Sequence, residues 1–188
     1  MILKNIRKRI ALDNYENNSQ QGDPKKLING QEAFSHFRFG ICTLDRVGCG
    51  VIAFYNILRL LKKSVKLPDL ILEMETNRTE TVPFGFFGIN PFRMKKMFSS
   101  YGIRFERFFK PKRLTENRED GNIFLITSWN DPKNWFRGAH TIAVRDRKTY
   151  FEVYNKNNQR KTVVRITDVS EICGKSSLIC GYRLWKEE

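Results

Sequence analysis

From Cys49 to Lys62 nearly every position is apolar, and the polar positions Asn56, Arg59 and Lys63 are spaced three and four apart. That spacing gathers them into one narrow stripe on a helix. A helix with so little polar face is buried on most sides, so this segment is read as the spine of the fold. Gly48 and Gly50 flank its first residue and let the backbone turn sharply and approach other groups closely. Nearer the start, Ile2, Leu3, Ile6 and Ile10 share a helical face, with Lys4, Arg7, Lys8 and Arg9 elsewhere. This predicts a helix docked on its own domain. The polar stretch from Asn14 to Asp23 reads as a loop, and Asp23-Pro24 as the cap and first-turn proline of a short helix. Beyond a loop containing PFGFFG, Asn90-Pro91 repeats the signal. Met94, Met97, Phe98 and Tyr101 then share a face, and Gly102 supplies a C-terminal stop.

Past Gly102 the period changes. Ile103–Phe109, Asn122–Trp129, Ala139–Val144, Tyr150–Tyr154, Thr162–Ile166 and Leu178–Trp185 read as strands, rich in β-branched and aromatic residues. Alternation along the first of them sends Phe105 and Phe109 inward, Arg104 and Glu106 outward. Helices first and strands after predict an α+β fold with a mainly antiparallel sheet. The 188 residues suit one domain, with positions 1–23 as a peripheral extension.

Charge changes the picture less than its size suggests. The net charge is +14, which favours anionic partners. The cations are spread through KNIRKR, LKKSVK, RMKK, RFERFFKPKR and RDRK, and no nucleic-acid motif accompanies them. A basic solvated surface is the simpler reading, and no specific nucleic acid is expected. No apolar run is long enough to span a bilayer, and the opening residues lack the apolar core of a secretory signal. The expected compartment is the cytoplasm, where thiols stay reduced. Cys42 and Cys49, like Cys173 and Cys180, are spaced C-x6-C, longer than structural zinc spacings, and the chain has two histidines. No metal or cofactor is expected, and Cys42, Cys173 and Cys180 read as free buried thiols.

Cys49 is different. At the first turn of a helix a sulfur meets unpaired N–H groups and the positive end of the dipole, which lower a thiol pKa. Of the two histidines, His36 in FSHFRFG reads as structural. His140 opens a strand, and the next strand, YFEVYN, ends at Asn155. A hairpin centred between Arg147 and Lys148, with a loop from Asp146 to Thr149, sets His140 directly opposite Asn155. Cysteine, histidine and asparagine in that order fit the roles of nucleophile, base and orienter.

GCGVIAFYNILRLL resembles the nucleophile helix of papain-like cysteine peptidases. It is most similar to the bacterial branch that includes the double-glycine leader peptidases of bacteriocin exporters and their stand-alone relatives. GAHTIAV and YFEVYN resemble that family's histidine strand and its Asp/Asn-bearing strand, and INPFRMKKMFSSYGIRF its intervening helix, turn and strand. The resemblance implies a papain-like fold, with an N-terminal helical half holding the nucleophile helix against a C-terminal antiparallel sheet. It implies Cys49 as nucleophile, His140 as general base and Asn155 as orienting residue, acting on a peptide or amide without a cofactor. The family's glutamine six residues before the cysteine is replaced by Thr43, and Thr43–Gly48 holds no Gln or Asn. Thr43 and the Cys49 N–H are therefore the oxyanion candidates, with Arg46 as a further one. The same fold would also suit a thioester acyltransferase, or a binding module that has lost catalysis.

Overall fold

The computed structural model describes residues 2–80, 85–174 and 177–186. The first half is helical: α1 (Ile2–Ser19), α2 (Leu44–Val47), α3 (Cys49–Leu60), α4 (Leu67–Thr76) and α5 (Met94–Ser100). A two-residue ladder of β1 (Arg38–Phe39) and β2 (Cys42–Thr43) precedes α2. The second half carries β3 (Ile103–Phe108), β4 (Ile123–Trp129), β5 (Ala139–Asp146), β6 (Phe151–Tyr154), β7 (Val164–Ile166), the short α6 (Val169–Ile172) and β8 (Leu178–Lys186). These strands form one antiparallel sheet in the order β3-β8-β4-β5-β6-β7. The expected α+β division into helices and a following antiparallel sheet is what the chain adopts.

Helix α3 is the spine, as its apolar sequence requires: every residue from Gly50 to Leu58 is buried. It lies on the sheet in a core that includes Ile52, Phe54 and Ile57 with Leu125, Ala143 and Tyr182. Its polar stripe is not a solvated face. Asn56, fully buried, accepts from Ile28 N–H at 2.8 Å and donates to Ile28 C=O at 2.8 Å. Arg59 reaches Asp23 Oδ2 at 3.5 Å and Pro24 C=O at 3.3 Å. The stripe is thus a seam that straps residues 23–28 along the helix. The two glycines act through space rather than through unusual φ angles. A Cβ on Gly50 would run into the Ile89 side chain, and one on Gly48 into Leu44.

Four expectations are corrected. The Asn14–Asp23 stretch is not a loop as far as Ser19, because α1 continues there. Asn14 donates to Gly40 C=O at 2.8 Å and Glu75 Oε1 at 2.6 Å, and Asn18 pairs both ways with the Arg38 backbone. Asparagines four apart thus use the inner helix face to satisfy the β1 edge. Asp23-Pro24 opens no helix: Asp23 Oδ1 instead accepts from Leu67 N–H at 2.8 Å, capping α4 from a distant part of the chain. The sequence reading did not assign α4, although Leu67, Leu70, Ile71 and Met74 carry helical spacing and are buried. Phe109 lies beyond β3 and is 54% exposed, stacked with Arg107, whereas Phe108 is buried. The reason is a second apolar layer on the far face of the sheet, where Phe108 packs with Leu114, Phe124 and Val144. The Phe108 ring occupies space that only Gly181 leaves open.

The fourth correction concerns register. In β5–β6, Ala143 pairs with Tyr154 and Asp146 with Phe151, with Arg147 N–H closing the turn onto Tyr150 C=O. The loop therefore sits one residue later than expected, and paired numbers sum two higher. The expected direct opposition of His140 and Asn155 does not form. The ladder ends at Ala143 and Tyr154, so Asn155 lies one residue beyond it and leaves the strand with φ of +56°. In PFGFFG, Pro83 and Phe84 lie outside the described residues. The remainder, 85–88, leads to Ile89 against Gly50.

Candidate active site

Cys49 is the first residue of α3, with Gly48 as its cap. The short α2 ends one residue earlier, and the turn at Gly48 presents the sulfur at the edge of the helix–sheet interface. There it meets the His140 ring from β5 and the backbone N–H groups of Gly50 and Thr141. Burial disfavours the thiolate, but the His140 hydrogen bond and charge, with the two N–H groups, outweigh it. The Cys49 pKa lies below the usual thiol value. The His140 pKa is raised by the same partnership: burial pulls it down, and the bond and charge of Cys49 pull it up further, with help from the Asn155 carbonyl. The two shifts together favour a thiolate–imidazolium pair.

His140 Nε2 lies 2.7 Å from the main-chain carbonyl oxygen of Asn155. A carbonyl only accepts, so Nε2 carries the proton and Nδ1 is left to face Cys49. The carbonyl is aimed by an unusual backbone. Asn155 follows the last residue of β6 with φ of +56°, a left-handed conformation that asparagine tolerates better than most residues. Its N–H donates to Asn29 Oδ1 at 2.9 Å.

The Asn155 side chain points elsewhere. Oδ1 accepts from Gly30 N–H at 3.2 Å, and Nδ2 donates to Gln31 Oε1 at 3.2 Å. Gln31, only 1% exposed, donates from Nε2 to Asp45 C=O at 2.9 Å. Just beyond, Glu32 N–H reaches Asn158 C=O at 3.3 Å. The segment Asn29–Glu32, delivered by the α3 seam, is thus zipped onto Asn155–Asn158.

A cleft of about 500 Å³ opens over these groups, and its walls include Gln31, Glu32, Arg46, Cys49, His140 and Lys156. The structure therefore brings Cys49, His140 and Asn155 together. Thr43 is not on the cleft wall: it lies in β2 ahead of α2, and its side chain makes no cap bond. Gln31, eighteen residues before the cysteine, was missed by the sequence reading. It lies outside Thr43–Gly48, the segment where the family's amide donor is expected. Its available signal was the run NGQE, two amides about a glycine that takes φ of +76°. His36 is exposed, stacked against Phe37 and Phe34, and away from the cleft wall. Cys173 and Cys180 are buried, which pushes each thiol up to about 11. Among the described residues, no helix is long and apolar enough to cross a membrane.

No protein-family model matches the chain, and no curated protein matches it. Solved structures do. A double-glycine motif protease from an AMS/PCAT transporter, in complex with the leader peptide, aligns over 74% of this chain and 84% of its own, with 17% identity and a TM-score of 0.49. The peptidase domain of Streptococcus ComA, a bi-functional ABC transporter involved in a quorum-sensing pathway, aligns over 74% of this chain and 91% of its own. There the identity is 11% and the TM-score 0.52. The chain has the papain-like α+β fold of the ComA peptidase domain.

Proposed function

We propose that the chain is a cysteine peptidase or amidase, cleaving a peptide or amide bond through an acyl-enzyme on Cys49. The observation that carries this reading is the Cys49–His140 pair itself: a depressed thiol and a raised imidazole at a helix start, opening into a cleft. The Cys49 thiolate attacks the carbonyl carbon. His140 holds the thiol proton and delivers it to the departing amine nitrogen as the C–N bond breaks. Water, deprotonated by His140, then releases the acid and restores the thiol. The Asn155 main-chain carbonyl holds the imidazole. The oxyanion lies between the Cys49 N–H and Gln31 Nε2, which replaces Thr43 as the side-chain donor. A donor of that kind contributes about 10²–10³ in kcat, so a donor at Gln31 would answer the missing family glutamine that favours an inactive binding module.

The cleft supports a polar substrate. Among the described residues, Arg46 and Lys156 stand on its wall against one acid, Glu32, favouring an acidic residue beside the scissile bond. The test is turnover of a mixed peptide-amide library, read by mass spectrometry. Wild type is expected to accumulate a thioester on Cys49 and release product, preferentially from acidic peptides. Cys49→Ala and His140→Ala are expected to do neither. Absence of any Cys49 thioester with every member refutes the reading. Capture of the thioester by added amines in preference to water assigns the acyltransferase variant instead.

A further inference from the structure

The buried amides around Asn155 form a chain whose direction is fixed at both ends. Gly30 N–H can only donate, so the atom of Asn155 facing it is Oδ1. Nδ2 must then face Gln31, and Gln31 must present Oε1 to it. The far end agrees: Asp45 C=O can only accept, so Gln31 turns Nε2 toward it. Two amides whose orientation is often ambiguous thus each have one consistent setting. Both are buried, Asn155 fully and Gln31 to within 1%, so water does not compete for these positions. The same Asn155 contacts the base only through its main chain.

From this polarity we infer that the Asn155 side chain is a positioning group for Gln31, not for His140. Its Nδ2–H₂ locks Gln31 Oε1 away from the cleft, which leaves the second N–H of Gln31 Nε2 for the oxyanion. The imidazole is held independently by the Asn155 carbonyl. One residue therefore sets both halves of the machinery, by two separable routes. The inference rests on the peptidase reading for its catalytic consequence, but not for its geometry.

The separability is testable with Asn155→Gly, which removes the amide while keeping both the carbonyl and access to positive φ. Three readouts are compared with wild type. The first is the pH dependence of Cys49 alkylation by iodoacetamide, which reports the Cys49–His140 pair and needs no oxyanion donor. The second is the Gln31 side-chain amide resonance in protein labelled with ¹⁵N-glutamine, assigned through Gln31→Glu. The third is the acylation rate with the best substrate from the library. We expect the alkylation midpoint to stay within about 0.3 pH units, since one unit already corresponds to 1.4 kcal/mol. The Gln31 resonance should lose its dispersion and slow exchange, and acylation should fall about 10–100-fold, part of one donor's worth. A shifted alkylation midpoint resembling that of His140→Ala overturns the inference, as does an unchanged Gln31 resonance. If wild type acylates with no substrate, the peptidase reading fails, yet the first two readouts still decide the geometry.

Discussion

Asn56→Leu tests whether the buried seam on α3 holds the site together. Leucine keeps asparagine's branched skeleton, though with bulkier methyls, and can neither donate nor accept. The change leaves the Ile28 N–H and C=O without partners, and Ile28 is only 4% exposed, so water does not replace them. Each stranded backbone group costs about 1–3 kcal/mol, which sums to about 2–6 kcal/mol. The added apolar surface offsets part of this, placing the expected loss near the lower half. A domain of this size loses about 2–4 °C in Tm per kcal/mol, so Tm should fall by roughly 4–16 °C. Urea unfolding followed by tryptophan fluorescence measures it, with a lower midpoint at an unchanged slope. The loss should extend to chemistry, because the strap ending in Asn29–Gln31 is what carries Gln31 and Asn29 to Asn155. Acylation by the folded fraction is expected to drop severalfold. A midpoint shift worth less than about 0.5 kcal/mol at constant slope refutes the seam, since a surface polar residue would give that much.

Other consequences follow from the same contacts. The pH profile of kcat/KM should be bell-shaped, rising as the lowered Cys49 pKa is passed and falling as His140, raised above its usual value, loses its proton. Asn155→Gly should keep both limbs. Glu75 is buried beside Glu80, and burial pushes its carboxyl up to about 7. The folded state then holds a proton that the unfolded chain releases from about 4.5 upward, so the associated stability is complete below that value and lost as pH climbs through 7. The loss is about 3 kcal/mol. Glu75→Gln should flatten the dependence of urea midpoint on pH between 5 and 8 and stabilise the protein at pH 8. Gly50→Ala should cost about 1–3 kcal/mol through overpacking against Ile89, read as a lower Tm.

The parts legible in the sequence were those with a single dominant signal. The run of apolar residues after Cys49 leaves no alternative to a buried helix, and the β-rich segments after Gly102 admit only a sheet. Asn90-Pro91 behaved locally, with Asn90 Oδ1 accepting from Phe92 N–H at 3.0 Å. Asp23-Pro24 carries the same letters, yet Asp23 serves α4 across the fold. A cap lent to a distant helix leaves no local trace. Asn14 and Asn18 misled in the same way, since polar residues facing a bare strand edge look like a loop. The hairpin failed by register because no turn dipeptide pins it, and Asn155 still meets His140 because its carbonyl, not its side chain, turns toward the ring. Gln31 was hidden by its distance from Cys49 in the chain, a distance the α3 seam closes.

The central claim is that Cys49 and His140 form a poised ion pair, and site-resolved alkylation tests it most directly. Folded protein is treated with iodoacetamide at pH 6.5, and the rate at each cysteine is read by peptide mass spectrometry. Cys49 is expected to react at least tenfold faster than Cys173 and Cys180, whose burial pushes them up to about 11, and His140→Ala is expected to remove most of that advantage. A Cys49 rate equal to theirs, or one indifferent to His140→Ala, would contradict the account.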